Sequence, residues 1–305
     1  MKKILITGAK GFLGSNAARF FKQRDFKTFG IGHGDMSDLE QTENGLDFWI
    51  NKEISVDSIL NIGEKFDVII HCAGSGSVSY SIKNPYKDFK KTVSATLEVL
   101  EYIRLHNSNA HLIYPSSPAV QGECNNIPIK EDYKGEPLSP YGYHKRFAED
   151  LCRSYNQKYN IKISIVRLFS VYGNGLKKQL LWDAFHKIRE AKQEVVFFGT
   201  GSETRDFIHV NDAIIIFDAL LKIPERFIII NGGTGLDSTV KFIVETIRDL
   251  VDKSINIKFD NKVNEGNPSF YCADTNKLNY YGIEIKNNLK QELKNYINWI
   301  KKIDD

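Results

Sequence analysis

Residues 7–15 read TGAKGFLGS, and this segment constrains the fold more than any other. It follows an apolar run over 4–7 that reads as a buried strand, and it opens an amphipathic run over 12–24 that reads as a helix. A strand that enters a helix through Gly8, Gly11 and Gly14 leaves no side chain over the turn. A pyrophosphate can then reach the backbone and sit at the helix N-terminus, where free amides and the helix dipole favour an anion. A glycine triplet alone is weak evidence; its place after a strand and before a helix is what a dinucleotide site requires. Further strand-like runs at 27–31, 67–71, 110–114 and 161–168 are interleaved with helical stretches at 86–105 and 140–159. That rhythm needs crossover connections and predicts a parallel sheet covered on both faces.

After residue 169 the rhythm loosens, with loops near 173–178 and 199–205 and shorter αβ pieces beyond them. The expected architecture is an α/β doubly wound parallel sheet with a smaller α/β lobe over the sheet's carboxyl edge. Residues 1–169, with about 206–232, are expected to form the dinucleotide-binding domain, and 170–205 with 233–305 the substrate-binding lobe. Composition excludes other classes. With 41 Lys and Arg against 38 Asp and Glu, the net charge of +3 is too small and too mixed for a nucleic acid or a membrane surface to be the main partner. No apolar run approaches the ~18 residues of a membrane helix. The four cysteines (Cys72, Cys124, Cys152, Cys272) form no CxxC pair, so reduced thiols in a cytoplasmic protein, and no metal site, are expected.

The second strand tests cofactor choice. An NAD-selective site ends that strand in a carboxylate for the adenosine ribose, about 20 residues after the loop. Here the position falls on Gly32, followed by His33, and Lys10 adds a positive charge nearby. These features favour NADP(H) over NAD(H); the competing reading has Asp35 serving the ribose after a small shift.

The segment SPYGYHKRFAEDL places Tyr141 and Lys145 four apart at a helix start, on one face. An ammonium beside a phenol stabilises the phenolate, and such a tyrosine can exchange a proton with a sugar oxygen while hydride moves at the attached carbon. Upstream, IYPSSPAVQG offers Ser116 and Ser117 as hydroxyls for the same oxygen. Tyr143 is expected to point away, and His144 to be a surface or packing residue.

With these motifs in view, the chain resembles the extended short-chain dehydrogenase/reductase family, in its nucleotide-sugar epimerase/dehydratase/reductase branch. The resemblance covers nearly the whole length. It rests on TGAKGFLG, DVIIHCAG (67–74), the serine motif, SPYGYHK, RLFSVYGNG (167–175) and GTGSETRDFIHVND (199–212). It implies a Rossmann-type domain, a small substrate lobe and a catalytic Ser117–Tyr141–Lys145 set, Lys145 also holding the nicotinamide ribose. Cofactor contacts are then expected from Gly8, Lys10, Gly11, Phe12, Leu13, Gly14, His33, Ala73, Gly74, Tyr141 and Lys145. Substrate contacts are expected from Ser116, Ser117, Gln179, Leu180, Phe198 and Arg205. Arg205 matches an arginine the family uses on the diphosphate, where a guanidinium bonds phosphate bidentately; the alternative for it is an ion pair with Asp206. The resemblance also implies a homodimer through helices 86–105 and 140–159.

Departures narrow the chemistry. Pro118 and Ala119 stand where 4,6-dehydratases carry acidic residues, and Ala119 where the fucose-synthase type carries a cysteine. Thr92, Ser170, Gln121, Asn264 and Asn267 replace other family residues, and Lys177 and Lys178 are candidates to restore charge for a diphosphate. Two readings remain at C4 of a nucleotide-activated hexose. The favoured one is a reductase that delivers hydride from NADPH to a 4-keto sugar; the alternative is a 4-epimerase with tightly bound NAD.

Overall fold

Segments such as KILIT and VIIH bury nearly every side chain, which only a sheet covered on both faces allows. In the computed structural model, which describes residues 1–124, 128–262, 268–286 and 288–304, they join a seven-stranded sheet. Its order is Phe227–Gly232, Lys162–Leu168, His111–Ser116, Val68–His71, Lys3–Thr7, Lys27–Gly32, Phe48–Asn51. The ladders from Lys162–Leu168 across to Phe48–Asn51 are parallel. From Lys3–Thr7 the chain moves outward to Phe48–Asn51, then returns on the other side with Val68–His71. The order therefore reverses between Lys3–Thr7 and Val68–His71, and a crevice for ligands is expected beyond the strand ends there. The glycine loop leaves the sheet at this point. The Rossmann-type α/β architecture expected from the sequence is what the strands form.

The core on one side of this sheet joins Leu5, Phe29, Ile69, Leu112, Tyr114 and Ile163 to Val99, Ile103, Ala148 and Cys152 of the covering helices. Each such large side chain stabilises the fold by about 1.5–3 kcal/mol relative to exposure.

The chain divides into two compact units. The first comprises residues 1–122, 134–167 and 214–230; the second comprises 123–133, 168–213 and 231–305. Residues 123–133 and 206–213 thus fall in the second unit, where the sequence reading had put them in the first. The cause is pairing. Ile129 bridges to Ala273, and Thr204–His209 is the middle strand of a small sheet between Asp237–Thr239 and Ser170–Tyr172. The second unit also holds the parallel pair Asn256–Phe259 with Glu194–Phe197, and the helices Gln179–Glu190, Val240–Val251 and Leu289–Asp304.

Two local features differ from expectation. The helix expected over 86–105 is built as Pro85–Phe89, a π turn at Lys90–Ser94, and Ala95–His106. π turns within helices are frequent at functional sites. The edge strand Phe48–Asn51 has no buried residue and carries no clear sequence signal. Among the described residues no helix is long and apolar enough to cross a membrane.

Candidate active site

The glycine loop is built by close approach. Gly8 has φ +67°, which a side chain would strain, and a Cβ there would lie 2.8 Å from the Ala73 amide nitrogen. A Cβ on Gly14 would lie 2.3 Å from the Gly8 carbonyl oxygen, so only glycine lets the helix Phe12–Lys22 start this close to the strand. The Gly8 carbonyl accepts from the Gly11 amide at 2.9 Å, and the Ala73 amide donates to Thr7 Oγ1 at 3.1 Å. No side chain caps the helix at Gly11, and no acidic residue lies in its first turn. The loop therefore presents uncapped amides and a cradle that any Cβ would fill, which fits a dinucleotide pyrophosphate. Phe12, Leu13 and Gly74 lie along the same loop and strand ends.

The end of the second strand lies against this loop, since a Cβ on Gly32 would sit 3.5 Å from Gly8 Cα. His33 is exposed. Lys10 does not stand free for a 2′-phosphate: its ammonium donates to the Asp35 carbonyl at 2.5 Å. It also adds to the Ser37 amide in holding the Glu40 carboxyl low. Asp35 Oδ1 accepts from Asn51 Nδ2 at 2.7 Å. The preference for NADP(H) read from Lys10 finds no support in this arrangement.

The helix Pro140–Tyr159 starts where Ser139 caps it, accepting from the Gly142 amide at 3.3 Å, with Pro140 at its first position. A Cβ on Gly142 would fall 2.5 Å from the Ala119 carbonyl oxygen. That glycine lets the first helical turn press on the Pro118–Val120 turn that Ser117 opens. The Ser117 hydroxyl, which accepts from the Ala119 amide at 3.2 Å, is thereby brought beside the Tyr141 phenol, where it favours the phenolate. The Tyr141 amide donates to Ser81 Oγ at 3.0 Å. One helical turn on, Lys145 Nζ donates to the Pro115 carbonyl at 2.9 Å and lies 4.7 Å from the centre of the Tyr114 ring.

Burial pushes the Tyr141 phenol above its ordinary value; the Ser117 hydrogen bond works against this and the Asp88 charge adds to it. The direction differs from the expectation that a neighbouring ammonium brings this phenol down: among the causes within the chain burial is the largest, and Lys145 is not one of them. Burial also pulls Lys145 down to about 8, against Cys72, Glu149 and Asp88, which hold its charged form up.

Ser116 is placed elsewhere than expected. Its hydroxyl is buried and donates to Glu149 Oε1 at 2.5 Å, so it is committed within the protein rather than offered to a sugar. His144, expected as a surface or packing residue, is the latter. It is buried, with Nδ1 2.6 Å from Oδ2 of the wholly buried Asp88. Tyr143 is exposed and bonds Glu136.

The remaining candidates belong to the second unit. Arg205 does not pair with Asp206. That buried carboxylate accepts from the Thr234, Gly235 and Ala273 amides and the Thr234 hydroxyl, at 2.7–3.1 Å. Arg205 instead donates to the Thr204 carbonyl at 2.6 Å, with its guanidinium 5.6 Å from the Tyr271 ring centre. Gln179 opens its helix with φ +70° and is exposed, Leu180 is half-buried, and Phe198 is exposed just past its strand. Asn264 and Asn267 lie outside the described residues. Sequence reasoning missed Asp88, Glu149 and Arg167. Of these only Glu149 left a signal, standing four residues after Lys145.

Residues 4–231 match the model of the NAD dependent epimerase/dehydratase family. A UDP-glucuronate 4-epimerase of Thermodesulfobacterium geofontis is 27% identical, the alignment covering 97% of this chain and 95% of that protein. A UDP-glucose 4-epimerase of Pisum sativum is 26% identical over 98% and 96%. The crystal structure of UDP-glucuronic acid 4-epimerase from Bacillus cereus, in complex with UDP-glucuronic acid and NAD, superposes with a TM-score of 0.86 at 28% identity, over 99% of both chains.

Proposed function

The chain belongs to the NAD dependent epimerase/dehydratase family, and we propose that within it this protein is a 4-epimerase of a UDP-activated hexose or hexuronate that keeps NAD bound. The observation that carries this reading is Tyr141 with the Ser117 hydroxyl beside its phenol and Lys145 one turn away, on the unit that also carries the glycine cradle. The epimerase relatives, one solved with NAD, support it over the reductase reading, which had drawn on Lys10.

Gly8, Gly11 and Gly14 with the Phe12–Lys22 helix amides would hold the dinucleotide, and Lys145 its nicotinamide ribose. Bound there, it supplies a hydride acceptor and donor and, when oxidised, a positive ring. Tyr141 Oη takes the proton of the sugar C4 hydroxyl as that carbon becomes a carbonyl, and returns it as the hydroxyl re-forms on the other face. Ser117 donates to the same oxygen and holds it at the phenol. Lys145 keeps positive charge beside the phenolate while the proton is away. Pro118 and Ala119, beside Ser117, carry no group that exchanges protons, so nothing at those positions serves a C5–C6 elimination. Arg205 is assigned to the substrate diphosphate, with Gln179, Leu180 and Phe198 near the base.

The same reading includes a homodimer. Tyr86, Leu97, Leu105 and Phe147, on the helices of the first unit, leave large apolar side chains exposed, as an interface would.

The test is the cofactor itself. Protein purified without added nucleotide and then denatured should release NAD, identified by absorbance and by the lack of a third phosphate. Release of NADP, or an absolute requirement for added NADPH in turnover, would overturn the reading.

A further inference from the structure

Pro115, Ser116 and Ser117 are consecutive, yet each meets a different rung of one helix. The Pro115 carbonyl accepts from Lys145 Nζ at 2.9 Å, Ser116 Oγ donates to Glu149 Oε1 at 2.5 Å, and the Ser117 hydroxyl stands beside the Tyr141 phenol. Tyr141, Lys145 and Glu149 follow one another at spacings of four, on one helix face. Arg167, from the neighbouring strand Lys162–Leu168, closes the array with Nε 3.1 Å from Glu149 Oε1 and a terminal nitrogen 2.8 Å from Oε2. Ser116, Lys145, Glu149 and Arg167 are all buried. Successive strand residues point to opposite faces, so Ser116 and Ser117 do not serve one ligand atom together.

A buried carboxylate with both oxygens bonded is satisfied and fixed in place. Here it also stands one turn from a buried ammonium. We propose that Ser116, Glu149 and Arg167 are the positioning residues of the reaction centre: Glu149 supplies the counter-charge for the Lys145 ammonium and, through Ser116, fixes the strand end that presents Ser117 to Tyr141. The proposal rests on the reading of Tyr141 as the proton-transferring group.

The groups around the ammonium come from four elements. Asp88, bonded to His144, faces it from Pro85–Phe89; Cys72 and His71 from the end of Val68–His71; the Tyr114 ring from His111–Ser116; and Cys152 and Glu149 from its own helix. Of these, Asp88 and Glu149 are the carboxylates. The second oxygen of Asp88, Oδ1, is buried without a hydrogen bond, whereas both oxygens of Glu149 are engaged.

The experiment measures kcat, KM and the pH profile of the holoenzyme on a UDP-hexose for Ser116→Ala, Ser116→Thr and Glu149→Gln. Ser116→Ala is expected to lower kcat about tenfold while KM stays within about twofold, and Ser116→Thr, which keeps the donor, to restore most of it. In Glu149→Gln, which removes the negative charge and leaves the positive one of Arg167, the alkaline limb of kcat, where the ammonium is lost, should move about one pH unit lower. Wild-type kcat in Ser116→Ala, or an unmoved alkaline limb in Glu149→Gln, overturns the proposal. Ser116→Ala removes one oxygen atom and leaves the Glu149–Arg167 pair intact, so it decides the matter if Glu149→Gln does not fold. Failure of the proposal leaves Tyr141→Phe inactive; an active Tyr141→Phe refutes the parent reading instead.

Discussion

Gly14→Ala probes the glycine cradle most sharply. The new methyl would stand 2.3 Å from the Gly8 carbonyl oxygen and 2.8 Å from Ala9 Cα. Ordinary contacts need about 3.5 Å, so helix and strand must part by roughly 1 Å. The carbonyl cannot swing aside cheaply, because it accepts from the Gly11 amide at 2.9 Å. Overpacking of about 1–3 kcal/mol and a lost hydrogen bond of about 1 kcal/mol together give about 2–4 kcal/mol. For a chain of 305 residues this lowers Tm by about 3–6 °C. The same opening carries the helix amides away from the pyrophosphate, so added NAD should raise Tm less than it does for the wild type. Gly11→Ala is the control. Its methyl would lie 3.1 Å from the same oxygen, which a few tenths of an ångström relieve, and about 1 kcal/mol or less is expected. Thermal melts of protein stripped of its nucleotide, with and without NAD added back, measure both variants. If Gly14→Ala melts with the wild type and responds fully to NAD, the close approach does not build the cofactor loop.

Three further outcomes are expected. Tyr141→Phe should lower kcat by about 10²–10⁴-fold with NAD content unchanged, as read by turnover and by nucleotide release. Glu101 is held down to about 2, below its reference value of 4.5, by hydrogen bonds from Arg104 and Tyr155. Its stabilisation is present above pH 4.5 and lost as pH falls toward 2. Glu101→Gln should therefore flatten part of the acid loss of stability in a denaturation series, modestly because the pair is partly exposed. Leu97→Glu with Phe147→Glu places charge among the exposed apolar side chains of the two helices, and light scattering should report a dimer for the parent chain and monomers for the variant.

Much of this was legible in the chain, for identifiable reasons. Gly8, Gly11 and Gly14 signal a cradle because only a missing Cβ permits the approach, and Tyr141 with Lys145 share a face because a helix repeats at four. The helix Pro140–Tyr159 was readable from its first residues, Ser139 and Pro140, which cap and start it. What stayed hidden depends on partners distant along the chain. Asp88 meets His144 across 56 residues, and Arg167 meets Glu149 across two elements. Ser116 misled because adjacency in sequence conceals that strand neighbours face opposite ways. Lys10 misled because a positive charge in a loop says nothing of the carbonyl that already holds it. The direction of the Tyr141 shift was missed because burial, its largest cause, is a property of the packed protein.

The most direct measurement is to incubate the purified chain, with no added nicotinamide cofactor, with a UDP-hexose and a UDP-hexuronate in deuterium oxide, and to follow the sugar by NMR. The account predicts inversion at C4 with no solvent deuterium on that carbon, because the hydride that leaves is the hydride that returns. Conversion that waits on added NADPH, or deuterium appearing at C5, would contradict it.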